Sequence, residues 1–161
     1  YSRFIVNWKL CSSMKAEDVK DTLDEAIVAS DVAVNERPKL LSDNGSCYIS
    51  IELADYLKVQ NMKHIRGRPL HPQTQGKIER YHRSMKNVVK LDNYFSPEHL
   101  ERKLNEFVYY YNYKRYHESL QNLTPADVYY GKSESKLKRR RATKSRTLKA
   151  RKKQYQNLNL N

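Results

Sequence analysis

Asp43 and Glu79 are the two carboxylates in this 161-residue chain whose positions could do chemistry. Asp43 follows the short apolar run Lys39-Leu40-Leu41-Ser42 and opens the turn Asp43-Asn44-Gly45. That is just past the C-terminal end of a buried strand, where open α/β sheets place their ligands. Glu79 comes after 35 intervening residues, in a helical stretch reached through the loop Gly67-Arg68-Pro69-Leu70-His71-Pro72. Two carboxylates brought together from separate elements can hold hard cations such as Mg2+ or Mn2+ through oxygen ligands. A two-metal site activates one oxygen and stabilises the leaving one in phosphoryl displacement. Spacing alone does not single the pair out, because most of the 18 acidic residues in such a chain are solvated surface charges.

Helix geometry gives Glu79 neighbours. Gln75, Arg83 and Lys86 lie at −4, +4 and +7 from it, so all four share one face. A plain solvated face with an i,i+4 Glu79–Arg83 ion pair would account for this as well. His71, His82 and His117 are candidate acid–base groups, but metal-assisted transfer needs no histidine. His71 reads as a loop or DNA contact and His117 as a structural polar anchor. Tyr109, Tyr110, Tyr111, Tyr113 and Tyr116 could stack on bases, although packing of a helix face explains them more simply. Cys11 and Cys47 stand alone, which argues against a disulfide framework or zinc knuckle and makes a reducing cytosol the expectation.

The elements that must position these groups follow from periodicity. Phe4, Val6, Trp8 and Leu10 alternate, predicting a strand buried on one side with Trp8 in the core. Ala16, Val19, Leu23, Ala26 and Ile27 fall at helical spacing within 14–29. Short strands are expected at 39–42 and 62–66, with a helix capped by Ser50 between them. A long helix is expected over roughly 73–90, and another opens at Ser96-Pro97-Glu98 with the stripe Leu100, Leu104, Phe107, Val108 and Tyr111. A short helix starts at Thr124-Pro125 and stops at Gly131. This order of strands and helices is that of an α/β domain.

Net charge is +13, and residues 132–153 hold twelve Lys/Arg and a single Glu, which leaves the first 131 residues at about +2. A nearly neutral body thus carries a cationic tail, including Arg139, Arg140 and Arg141, that suits a polyphosphate. A membrane surface would also attract it, but the tail lacks the bulky apolar residues of an interfacial helix. No apolar run is long enough for a membrane span. The division expected is a core over 1–131 and a basic, disordered tail over 132–161.

The text around the two carboxylates is specific. Ser42-Asp43-Asn44-Gly45-Ser46, the 35-residue gap, and His71-Pro72-Gln73-Thr74-Gln75-Gly76-Lys77-Ile78-Glu79-Arg80 resemble the D-x35-E half of a DDE signature. Downstream, Tyr111-Asn112-Tyr113-Lys114-Arg115-Tyr116-His117-Glu118-Ser119-Leu120 with Thr124-Pro125 looks like a YNxxRxHxSLxxxTP segment. Residues 1 to about 131 therefore resemble the catalytic core of the retroviral-integrase-like transposases of bacterial insertion sequences. A ribonuclease-H-type nuclease would share the chemistry, but the YNxxRxH segment argues against it.

The resemblance implies a ribonuclease-H-like mixed sheet flanked by helices, in the order 3-2-1-4-5. It implies Asp43 and Glu79 as catalytic metal ligands for two Mg2+ or Mn2+ ions. DNA contacts are implied from Gln75, Lys77, Arg83 and Lys86, with transposon ends and target DNA as partners of a homo-oligomer. It also implies a first Asp on the first strand, in a WxxDxT-like context ahead of Tyr1-Ser2-Arg3. Asp18, Asp21, Asp24 and Asp31 are no substitutes, since they lie on or just after the first helix. The fold is thus expected to be incomplete, with strands 1 and 2 absent and strand 3 (residues 4–10) unpartnered, and the chain is expected to be marginally folded. Little or no catalysis by this chain alone is expected. The rival reading is a non-catalytic remnant that binds nucleic acid through its basic tail.

Overall fold

The computed structural model describes residues 1–67, 76–90 and 93–158. They fall into two compact units, one spanning Ile5–Val108 and the other joining Tyr1–Phe4 to the chain from Tyr109 onward.

The first unit is built on a βαβ arrangement. Helix α1 (Ala16–Ser30) is followed by strand β1 (Leu40–Ser42), helices α2 (Ser46–Ile49) and α3 (Ile51–Val59), and strand β2 (His64–Arg66). β1 and β2 run parallel with Leu40 opposite His64 and Ser42 opposite Arg66. Leu40 N–H donates to Lys63 O and Gly67 N–H to Ser42 O, extending the ladder at both ends. Ser50 caps α3, its hydroxyl accepting from Leu53 N–H at 3.2 Å, as its position before an apolar run predicts. The core joins Ala16, Leu53, Leu57 and Met62, with Val19, Leu23, Ile27, Leu40, Tyr48 and Tyr56 packed around them. Ala16, Val19, Leu23 and Ile27 among them are positions of the predicted helical stripe of α1. Polar ties back the packing: Lys20 pairs with Glu52, and Tyr56 Oη donates to Asp24 Oδ1.

Helix α4 (Gly76–Val89) and most of α5 (Pro97–Tyr113) complete this unit. Ser96 caps α5 by accepting from His99 N–H. Tyr81 of α4 lies 6.1 Å from the Phe107 ring of α5. Leu104, Phe107 and Tyr111 of the predicted stripe are buried.

Residues 4–10 form no strand, which corrects the expectation of a third strand with Trp8 in the core. Val6 and Leu10 are exposed and Trp8 is half-buried. Alternation marks a segment that could line a sheet face, but a strand needs a neighbour for its N–H and C=O groups. Among the described residues the sheet is two-stranded, so that neighbour is missing.

The second unit contains α6 (Pro125–Tyr129) and α7 (Ser133–Leu158). Thr124 and Asp127 form a reciprocal capping box at α6. Phe4 stacks on Tyr129 at 4.3 Å and meets Tyr113 and Tyr130 edge-on. Where irregular chain was expected from residue 132, α7 is a 26-residue helix. Its sequence holds no Gly or Pro and is rich in Lys, Arg, Ala and Leu, all strong helix formers. Among the described residues no helix is long and apolar enough to cross a membrane.

Candidate active site

Asp43 sits where the sequence places it, on the turn after β1. Its Oδ1 accepts from Gly45 N–H at 2.8 Å, closing an Asx turn. A Cβ on Gly45 would stand 3.0 Å from that same oxygen, so glycine leaves the carboxylate room to hold this pose. Asn44 Nδ2 donates to Gly67 O at 2.9 Å and ties the turn to the end of β2. Beneath it the buried Ser42 hydroxyl donates to Asp43 O at 2.8 Å and lies 2.8 Å from His64 Nε2. Because the single Ser42 proton is used on the carbonyl, His64 must donate from Nε2. Burial first, and then the Arg66 charge, lower the His64 pKa, keeping the ring in that neutral form. Sequence reading passed over His64, because its partnership with Ser42 is made across the sheet.

Glu79 lies in the first turn of α4 and is exposed, as is Asp43. Neither forms an ion pair among the described residues. The alternative i,i+4 Glu79–Arg83 pair is thus not made. Arg83 and Lys86 are exposed on the Glu79 side of α4, while Tyr81, Met85 and Val89 face inward. Lys90, eleven residues from Glu79, extends the same stripe and was missed, although helical spacing would have found it. Gln75, His71 and the loop before α4 lie outside the described residues, as does the Lys77 side chain.

The donor chemistry fits a hard divalent cation, because both groups offer carboxylate oxygens and Asp43 Oδ2 accepts no hydrogen bond among the described residues. The set is short, however: no group of three or more His, Cys, Asp or Glu is gathered for a metal among the described residues.

The YNxxRxH segment builds the second unit. Asn112 and His117 are buried, the His117 ring meets Tyr111 edge-on at 5.0 Å, and Arg115 lies over the Tyr111 ring. His117 bridges to Leu123 through the backbone, and its Nε2 is buried with no hydrogen-bond partner among the described residues. Desolvation, reinforced by the Arg115 and Arg3 charges, lowers its pKa to about 4. It is therefore a neutral structural histidine. Tyr111 is buried, whereas Tyr109, Tyr110, Tyr113 and Tyr116 are exposed, so packing accounts for only part of the tyrosine cluster.

Of the tail arginines, Arg139 and Arg141 are exposed, whereas Arg140 donates to Gln121 O at 3.1 Å and Asn122 O at 2.8 Å. A cleft of about 520 Å3 lies beside it, lined by Tyr116, Lys136, Arg139, Arg140, Thr143 and Lys144.

Comparison with known proteins bears on the family and the fold. Residues 1–72 and 60–125 each match a family described as integrase core domain. The chain is 28% identical over 104 residues to the Gag-Pro-Pol polyprotein of mouse mammary tumor virus (strain BR6), covering 62% of this chain and 6% of the polyprotein. It therefore spans a small part of that relative's length. The catalytic core domain of BIV integrase has a similar fold, with TM-score 0.63, 23% identity, and 84% of each chain covered. A simian T-cell lymphotropic virus intasome, solved with PP2A regulatory subunit B56 gamma, gives TM-score 0.61 at 18% identity, covering 74% of this chain and 41% of that one. Two integrase core domain models thus match residues 1–125 between them, and the fold is like that of a retroviral integrase catalytic core.

Proposed function

We propose that this chain is the Asp43/Glu79 part of an integrase- or transposase-type polynucleotidyl transferase that cuts and joins DNA strands. The observation that carries the reading is the Asp43 turn: an exposed carboxylate at the C-terminal end of a strand, held by Gly45 N–H and by the Asn44–Gly67 tie. Asp43 and Glu79 would be the ligands, and Mg2+ or Mn2+, two ions in a complete site, would supply the charge that activates the attacking oxygen and stabilises the leaving one. Arg83 and Lys86, beside Glu79 on α4, would hold DNA phosphates, with Gln75 and Lys77 as further DNA contacts. Transposon ends and target DNA would be the substrates, handled by two or more protomers in a cytoplasmic, nucleoid-associated setting.

The third carboxylate of such a site has no equivalent among the aspartates of α1, which are engaged elsewhere: Asp18 takes Ser13 and Lys15, Asp21 takes Lys9, and Asp24 takes Tyr56. Residues 1–161 alone should therefore be nearly inactive. The test is Mn2+-dependent joining of oligonucleotide ends to a plasmid, by this chain and by the chain extended with an Asp-bearing strand ahead of Tyr1. Joining is expected only from the extended chain and should vanish in Asp43→Asn and Glu79→Gln. Joining that survives Asp43→Asn sinks the reading.

A second reading, non-catalytic binding of nucleic acid, is favoured by one observation: the cations concentrated in α7. Duplex binding by the extended chain with no joining under any metal would select it.

A further inference from the structure

Helix α7 has a fixed root and a free remainder. At the root, Lys136 Nζ lies 2.6 Å from Asp127 Oδ1, and one turn later Arg140 holds the carbonyls of Gln121 and Asn122. Those two residues are both left-handed (φ 56° and 57°), and the Arg140 guanidinium also lies over the Tyr116 ring. Beyond Arg140 every described side chain is exposed. After Glu134 the helix has no acidic residue, while Arg141, Lys144, Arg146, Lys149, Arg151, Lys152 and Lys153 follow. Like charges three and four apart, such as Lys149 with Lys152 and Lys153, oppose the helix. Binding to a polyanion would remove that opposition.

The distribution of these cations identifies the shape of the polyanion. Lys144 and Arg151 lie seven apart on one side of the helix, and Arg146 and Lys153 lie seven apart on the opposite side. A membrane surface takes an apolar face, and beyond Arg140 the helix offers only Leu148, Tyr155 and Leu158 as bulky apolar residues. A flat phosphate surface would engage one side and leave the other cations unmatched. A groove walled by phosphates on both sides engages them all. The major groove of B-form DNA, about 12 Å wide, admits one α-helix. At 1.5 Å per residue the part of α7 beyond Arg140 is about 27 Å long, enough to lie along a stretch of the groove. The root cleft, lined by Lys136, Arg139, Arg140 and Lys144 with no carboxylate in its wall, continues the cationic lining.

We infer that α7 lies in the major groove of duplex DNA, with cations from its opposite sides on the phosphates of the two strands. Lys136 and Arg140 anchor its root to the second unit. The inference rests on the DNA reading above but not on the metal site.

The test is duplex binding by the full 161-residue chain in EDTA, read as fluorescence anisotropy across a salt series. Lys144→Ala/Arg151→Ala and Arg146→Ala/Lys153→Ala are compared with the parent, all substitutions being at exposed positions where Ala supports the helix. Each pair should reduce the slope of log K against log salt by about 1.8, to the same extent, since each lost phosphate contact removes about 0.9. Methyl green, a major-groove ligand, should displace the chain, and netropsin, a minor-groove ligand, should not. An effect from one pair only, an effect from neither, displacement by netropsin alone, or equal affinity for phosphatidylserine vesicles would each overturn the inference. With EDTA present, any of these outcomes leaves the metal-site reading to its own joining assay.

Discussion

Asn44 donates its side-chain amide to the carbonyl of Gly67 at 2.9 Å, so the turn that presents Asp43 is fastened to the strand next door. With Gly67 N–H returning to Ser42 O, the two crossings make the Asp43 turn a fixed platform. Asn44→Ala should cost about 1 kcal/mol in urea melts followed by Trp8 fluorescence, the value of one such hydrogen bond. Backbone amides of the turn should also exchange faster, with Gly45 the first to lose protection.

The free edge of the small sheet should make this chain self-associate. β1 pairs with β2 alone among the described residues, and Leu41 and Ile65 are about half exposed, at 48% and 44%. An unpaired apolar edge recruits other strands. Sedimentation should show concentration-dependent association that Leu41→Lys reduces. A Leu41→Lys protein that associates as strongly as the parent would place the contact elsewhere.

His117 should make the second unit acid-sensitive. Its folded pKa, about 4, lies below the ordinary value near 6.5, so the unfolded chain binds the proton first. The stability it contributes is complete above about 6.5 and is lost as pH falls towards 4. The exchange protection factors of the Tyr111–Tyr129 amides, corrected for the intrinsic rate at each pH, should therefore fall across that window. His117→Gln, which cannot titrate, should flatten the response.

Gln121 is a non-glycine residue at φ 56° whose left-handed backbone is held by Arg140. Relief of that strain, less the entropy of the added glycine, should let Gln121→Gly stabilise the unit by up to about 1 kcal/mol. Arg140→Lys should do the reverse, because a single ammonium cannot reproduce the planar fork across two carbonyls. Thermal melts of the two variants should move in opposite directions.

Features encoded by local chemistry were legible in the sequence. Ser50, Ser96 and Thr124 were readable as caps because a cap needs only the next three residues, and Asp43 because a strand and a turn flank it. The spacing of Ala16, Val19, Leu23 and Ile27 marked the core face of α1 correctly. Partnerships made at a distance were not legible. Nothing in Phe4–Leu10 discloses that no strand lies beside it, and nothing near Ser42 discloses His64. A run of cations reads as solvated chain by charge, yet in α7 the helix-forming stems of Lys and Arg and the ties of Lys136 and Arg140 prevail.

The central claim, that Asp43 and Glu79 converge on one divalent ion, is tested most directly by affinity cleavage with Fe2+ and ascorbate in place of Mg2+. Hydroxyl radicals formed at a shared ion should cut the backbone near both residue 43 and residue 79. Both cuts should disappear in Asp43→Asn and again in Glu79→Gln. Cutting at one position only, or cutting near residue 79 that persists in Asp43→Asn, would contradict the account.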